Sequence, residues 1–268
     1  MVGKTLNIAH RGGAGLRPEN TLAAFNNAIA RGYDGAELDV QLSADGVVVV
    51  HHDLRLNTEL TRHAGGWISG ETPAIKDMSY AALQAFDIGR PDPASAYVRS
   101  HPKLMAVEGE RIPTLEAVVA RAKEARAPFW LFVELKTSAQ ADSGDPIALA
   151  EEALAVMDSY LDRTIFVGFD WRGLARVKEL APGAPCWFTT DKLQGDLKPI
   201  LDGIANAKAN GWFAEKTNAT PENVAYARDI GLKVGAWTVN EPAEMKKLKA
   251  LELSALCTDR PDLLHSLE

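Results

Sequence analysis

The chain has 268 residues, 46% of them hydrophobic and 24% charged, enough for one large α/β barrel or two small domains around a sizeable core. A net charge of −7 and an isoelectric point near 5.5 exclude a nucleic-acid surface, which needs basic patches to neutralise phosphates. No apolar run is long enough to span a bilayer and no basic amphipathic segment would dock on one, so no stable membrane association is expected.

Met1-Val2-Gly3-Lys4-Thr5 leads straight into an apolar strand and leaves no room for a signal peptide, so the cytoplasm is the expected compartment. Runs of strand length follow at residues 6–9, 35–40, 129–135, 164–168, 185–188, 211–214, 233–239 and 255–258. Segments of helical period alternate with them at 20–31, 114–126, 147–161, 171–180, 197–207, 221–230, 242–251 and 261–267. Helix starts are signalled at Pro18-Glu19-Asn20-Thr21, with Asn20 as the cap, and at Pro113-Thr114, Asp145-Pro146, Asp170, Thr220-Pro221, Asn240-Glu241-Pro242 and Asp259-Arg260-Pro261. Eight strand–helix repeats favour an α/β fold of the (β/α)8 TIM-barrel type, one catalytic domain over residues 1–268, rather than an open doubly wound sheet.

A ninth apolar run, residues 47–50, follows Asp45-Gly46, a strong signal for a two-residue hairpin turn. That turn pairs Ala44 with Val47 and sets His52 directly opposite Asp39; a slip of one residue would turn His52 away. From 54 to 111 the pattern is irregular, with one helical piece at 79–86. A structureless loop of that length does not suit a compact domain, so an insertion after strand two is expected, capping the site and shaping substrate access.

Glu37 and Asp39 alternate with Leu38 and Val40, so both carboxylates leave one face of their strand. Glu134 and Lys136 end the third barrel strand, next door, and bring a third acid level with the pair. Three oxygen ligands favour one divalent cation, Mg²⁺, Ca²⁺ or Mn²⁺, over zinc. His10 and His52 reach the same mouth from different elements and are the candidate acid and base. Arg11 and Lys136 are the candidate phosphate binders. Glu19 is placed to hold a histidine or Arg11.

Gly12, Gly13 and Gly15 lack the spacing of a dinucleotide loop and more simply give the first loop room. Trp237 stands near the rim, where an indole can pack against a substrate's carbon skeleton. Phe169, Trp171, Glu215 and Lys216 are further rim candidates, whereas Trp67, Trp130, Trp187 and Trp212 read as packing residues. His51 reads as structural, and His63, His101 and His265 receive no role. Cys186 and Cys257 sit in apolar strand candidates, outside any zinc-type cluster, and read as buried thiols.

These residues form motifs: HRG at His10, PENT at Pro18, E-x-D at Glu37, HD at His52, ELK at Glu134, WTVN at Trp237 and TD-x-P at Thr258. In this order, from Leu6 to Leu264, the chain resembles the glycerophosphodiester phosphodiesterase family. The resemblance implies a (β/α)8 barrel with an insertion after HD, and metal-dependent hydrolysis of a small glycerophosphodiester to glycerol 3-phosphate and an alcohol. It implies Glu37, Asp39 and Glu134 as metal ligands, His10 and His52 as the catalytic pair, and Arg11 and Lys136 at the phosphate. After HD the chain reads Leu54-Arg55-Leu56-Asn57 where many members carry a D-R-T-T-like string, a departure confined to the loop. Rival readings are a lysophospholipid-directed phospholipase D on the same barrel, a Schiff-base aldolase using Lys136, and a binding module that kept the pocket. Composition leaves the oligomeric state open.

Overall fold

Period-two and period-3.6 apolar patterns take turns along the chain, and the computed structural model turns each into its own element. It describes residues 4–267; Met1, Val2 and Gly3, on which the expectation about a signal peptide partly rests, lie outside the described residues. The strands are β1 Leu6–Ala9, β2 Gly35–Leu42, β3 Val48–Val50, β4 Arg62–His63, β5 Gly66–Trp67, β6 Trp130–Leu135, β7 Thr164–Gly168, β8 Cys186–Thr190, β9 Gly211–Glu215, β10 Lys233–Trp237 and β11 Ala255–Thr258. The helices are α1 Leu22–Ala30, α2 Tyr80–Leu83, α3 Ala96–Ser100, α4 Leu115–Lys123, α5 Pro146–Met157, α6 Trp171–Leu180, α7 Lys198–Asn206, α8 Pro221–Asp229, α9 Pro242–Lys249 and α10 Pro261–His265. No helix of the described residues is long and apolar enough to cross a membrane.

Strands β1, β2, β6, β7, β8, β9, β10 and β11 pair in parallel in that order, and β11 returns to β1. The sheet is closed, with the helices outside: the expected (β/α)8 barrel. Thr21, Thr114, Asp145, Asp170 and Thr220 each accept a hydrogen bond at a helix start. The expectation for Asn20 is corrected, because Thr21 caps α1 and Asn20, at φ 56, turns its side chain elsewhere. Asn240 and Asp259 also precede helices without capping them, since α9 and α10 have no side-chain cap. Proline in the first turn supplies those starts and frees both polar side chains.

Two apolar layers follow from strand alternation. Outward residues such as Leu38, Val40, Val133 and Leu135 pack under the helices, while Ile8, Phe132, Ile165, Val167, Trp187 and Phe213 fill the barrel. Trp187 meets Phe132 edge-on at 5.3 Å. Its indole needs glycine beside it, because a Cβ on Gly235 would lie 2.8 Å from Trp187 Cζ3 and 3.0 Å from Phe213 Cδ2. Gly235→Ala therefore overpacks two buried rings and is expected to cost about 1–3 kcal/mol. An unchanged urea midpoint would contradict it. Both cysteines are buried, and burial pushes the Cys186 thiol up to about 12.

The hairpin differs from the expected register by one residue. Val40 faces Val50, Gln41 faces Val49 and Leu42 faces Val48, so the ladder sets His51, not His52, level with Asp39. The physical reason is a three-residue loop: Gly46 N–H bonds Ser43 O at 3.0 Å and Ser43 N–H bonds Val47 O at 3.0 Å, with Gly46 at φ 77. This is a tight turn followed by a left-handed residue, which an Asp-Gly pair serves as well as the two-residue form. Ser43 Oγ strengthens it by accepting from Val47 N–H at 3.0 Å.

The segment beyond β3 carries the β4–β5 hairpin, α2 and α3, and has an apolar cluster of its own in Leu56, Ile75, Leu83, Ile88 and Ile112. Val49 joins that cluster, while Val48 and Val50 pack into the outer barrel layer, so three consecutive valines tie the segment to the barrel. Trp67 departs from its expected packing role. It is exposed on β5, with Arg62 over its ring at 5.6 Å and its indole N–H on Arg90 O.

Candidate active site

The register of β2 and β6 builds the centre. Asp39 lies beside Glu134, Glu37 is one pleat below on the same face, and one oxygen from each of the three lies within 4.8 Å of the others. All three are buried. Arg11 N–H bonds Glu37 Oε2 at 2.9 Å, and Asn20 Nδ2 bonds Asp39 Oδ2 at 2.8 Å. Lys136 Nζ reaches Glu134 Oε1 at 2.7 Å and Asp39 Oδ1 at 3.3 Å. Glu37 Oε1 is buried without a hydrogen-bond partner among the described residues.

The charges separate the two neighbours on β2. Burial, with repulsion from Asp39 and Glu134, pushes the Glu37 carboxyl well above the usual range. Burial also pushes Asp39 up, but Lys136, His52, Arg11 and the Asn20 hydrogen bond outweigh it and hold that carboxyl low. One acid is poorly compensated beside one that is over-compensated.

Each expected histidine rests on a carboxylate. His10 opens a 3₁₀ turn directly after β1; its Nδ1 lies 2.6 Å from Asp259 Oδ1 and its Nε2 3.8 Å from Glu37 Oε2. His52 Nδ1 lies 2.7 Å from Asp53 Oδ1, and Asn57 Nδ2 bonds Asp53 Oδ2 at 2.6 Å. A carboxylate on Nδ1 fixes the tautomer and leaves Nε2 for chemistry. Asp259 is buried, which alone would raise its carboxyl, but His10, His101 and Asn240 hold it below the ordinary range.

The register slip does not remove His52, because the ladder ends at Val50 and the chain bends through His52, Asp53 and Leu54. Gln41 secures that bend: its Nε2 donates to His51 O at 2.7 Å and Asp53 O at 2.8 Å. His52 lines a cavity of about 510 Å³ with Glu134, Lys136, Thr137, Ser138 and Asp191. His51 is buried, its Nε2 without a hydrogen-bond partner among the described residues, and burial lowers its pKa.

Arg11, at φ 50, pairs with Glu19 Oε1 at 2.8 Å and lies 3.5 Å from Asp39 Oδ2. Phe169 lines the cavity, with Trp237 edge-on to it at 5.3 Å and Lys136 Nζ 5.9 Å from its ring. The other rim candidates do not line this cavity, although Glu215 stands beside Trp237 in the register of β9 and β10. Trp171 packs on Phe188, Glu215 accepts from Thr217, and Lys216 pairs with Glu244. The Schiff-base reading of Lys136 finds no support, since its ammonium is locked between two carboxylates and such a nucleophile must be neutral.

Sequence reasoning gave Asp53, Asp259, Asn240, Gln41 and Tyr97 no part in the site, Asn240 and Asp259 having been read as helix starts. Asp53 and Asp259 stood inside quoted motifs, so their signal was adjacency to a histidine or a helix-start pattern. Asn240 Nδ2 bonds Asp259 Oδ2 at 2.6 Å, a pairing across two strand ends that neither start pattern discloses.

A family model, the glycerophosphoryl diester phosphodiesterase family, matches residues 10–263. Bacillus subtilis YhdW, provisionally named a glycerophosphodiester phosphodiesterase, is 33% identical over 261 residues, covering 96% of this chain and 95% of its own. The glycerophosphodiester phosphodiesterase of Caldanaerobacter subterraneus subsp. tengcongensis is 29% identical over 266 residues, 98% of each chain. A solved Silicibacter pomeroyi DSS-3 structure, provisionally named a glycerophosphoryl diester phosphodiesterase, superposes with a TM-score of 0.90 at 30% identity, covering 98% of this chain and 93% of that one. With a family match across nearly its whole length, on a closed parallel barrel, the chain belongs to the glycerophosphoryl diester phosphodiesterase family and is a phosphodiesterase.

Proposed function

We propose that this enzyme hydrolyses small glycerophosphodiesters to glycerol 3-phosphate and an alcohol, using one divalent cation, Mg²⁺ or Ca²⁺, held by Glu37, Asp39 and Glu134. The observation that carries the metal reading is the donor set: three buried carboxylates with one oxygen from each within 4.8 Å of the others, and Glu37 Oε1 lacking a hydrogen-bond partner among the described residues. Buried oxygens of like charge suit a hard cation. When bound, it supplies Lewis-acid polarisation of a phosphoryl oxygen.

The chain's own groups do the rest. Arg11 and Lys136 hold fixed positive charge toward the phosphate, where negative charge grows in the transition state. His10 and His52, each steadied at Nδ1, divide the proton transfers: one takes the proton of the attacking oxygen, from water or from the glycerol hydroxyl beside the phosphate, and the other gives a proton to the departing alkoxide. By the hydroxyl route a cyclic phosphate forms first, and water then opens it to glycerol 3-phosphate with the two imidazoles exchanging roles. The edge-on pair Phe169 and Trp237 offers apolar surface to a carbon skeleton. The cavity that Phe169 lines also takes in Leu54, Arg55, Thr137, Ser138, Gln140, Asp142 and Asp191, and the number of charged and hydrogen-bonding groups among them supports a polar alcohol over the acyl chain of a lysophospholipid. Residues 54–111 serve as the insertion that caps this site.

Glycerol 3-phosphate should be released from glycerophosphocholine and glycerophosphoethanolamine with Mg²⁺ or Ca²⁺ and not in excess EDTA. Undiminished release in EDTA overturns the metal reading. Cleavage of lysophosphatidylcholine in preference to both diesters overturns the substrate reading.

A further inference from the structure

Arg11 is held by Glu19, and Glu19 is held in turn by a residue outside the barrel repeats. Arg11 Nη1 donates to Glu19 Oε1 at 2.8 Å, and Tyr97 Oη donates to Glu19 Oε2 at 2.7 Å. Glu19 is only 7% exposed, and among the described residues Arg11 and Tyr97 are the hydrogen-bond donors to its carboxylate. Tyr97 belongs to α3, which is itself anchored: Glu59 accepts from Ala96 N–H at 3.1 Å and from Tyr97 N–H at 3.2 Å. His101 closes the same turn, with its Nδ1 on Tyr97 O at 2.8 Å and its ring 4.3 Å from the phenol ring. Its Nε2 lies 3.9 Å from Asp259 Oδ2, on the carboxylate that holds His10.

The phenol is well suited to its place. Burial and the Glu19 charge raise its pKa well above the ordinary value, so it stays a donor across the working pH range. A carboxylate shared by a fixed phenol and a guanidinium has little freedom to rotate, and an arginine held by it keeps one fork direction.

We propose that Tyr97 is a positioning residue for the phosphate site: by fixing Glu19 it sets the direction of the Arg11 guanidinium, so the inserted segment completes a site whose other parts come from barrel strands, the turn after β1 and the hairpin after β2. This rests on the reading of Arg11 as a phosphate binder. The consequence is that anion affinity depends on a hydroxyl that never touches the substrate.

The test is calorimetric binding of glycerol 3-phosphate, in Mg²⁺-containing buffer, to the wild type, Tyr97→Phe, Arg11→Lys and the double variant. Tyr97→Phe keeps the ring and is expected to raise Kd roughly tenfold, the worth of one charge-assisted hydrogen bond. In the Arg11→Lys background the same change should have no further effect. A general loosening of structure would weaken binding equally in both backgrounds, and that result overturns the proposal. So does an unchanged Kd in Tyr97→Phe beside a raised one in Arg11→Lys, which leaves the phosphate reading standing. An unchanged Kd in Arg11→Lys removes the phosphate reading and the proposal with it.

Discussion

Replacing His52 with alanine is expected to lower kcat/KM about a thousandfold, within the range that a positioned acid or base contributes, while the protein stays folded. The second half of that expectation comes from what the change leaves behind. Asp53 loses the imidazole on its Oδ1, but it keeps the 2.6 Å bond from Asn57 and a side chain 35% exposed to water. No buried charge is stranded, so the thermal midpoint should move by no more than a few degrees. His10→Ala should behave differently. Asp259 is buried and owes much of its depressed pKa to His10, so this variant should lose turnover and also several degrees of stability. Steady-state kinetics beside thermal unfolding separates the two. Substantial residual activity in His52→Ala would remove it from the catalytic pair.

Glu37→Gln is expected to weaken metal binding and to strengthen the metal-free protein. Exchanging a charged ligand for a neutral amide should reduce affinity for Mg²⁺ by at least about a hundredfold, the upper end of what removing a group behind a ligand costs, read as a shift in the metal concentration that supports half-maximal activity. Without metal, the charge on Glu37 is a burden, because burial and the neighbours Asp39 and Glu134 raise its pKa well above the ordinary value. An acid whose folded pKa is raised contributes stability that is fully present below the unfolded pKa and is lost as pH rises through the folded one. In EDTA the wild type should therefore lose stability as pH climbs above the ordinary glutamate range. Glutamine removes that loss and can still accept the Arg11 N–H. A Glu37→Gln protein less stable than wild type in EDTA at neutral pH would show that the three acids do not repel as argued.

Tertiary organisation became legible in the chain wherever a short-range pattern carried it. Alternation of period two put Glu37 and Asp39 on one face, and the barrel's neighbour rule brought Glu134 level with Asp39, as the observed register has it. The hairpin marks the limit of such reasoning. Asp45-Gly46 announces a turn, but two loops of different length share that signal, and Ser43 decides between them through its own hydrogen bonds. The error had a small effect because His52 lies past the last paired residue, in a bend that Gln41 holds. Asn20 shows the converse: a residue that looks like a helix cap turns instead to Asp39, because Thr21 already satisfies the helix.

By itself the sequence determined the alternation of strand and helix, the shared face of the two carboxylates on β2, and the chemical set of two histidines, an arginine, a lysine and three acids. These follow from local periodicity and residue chemistry, which need no knowledge of distant partners. Only the tertiary structure decided what holds His10 and what stands behind Glu19, whereas Arg11, His52 and Lys136 rest on carboxylates close in sequence. His10 meets Asp259 across 249 residues, and Glu19 meets Tyr97 across 78. Such contacts arise when barrel closure brings the last strand against the first and when the segment after β3 folds back over the rim. Periodicity is blind to both events, since the partners are neighbours in space and strangers in sequence.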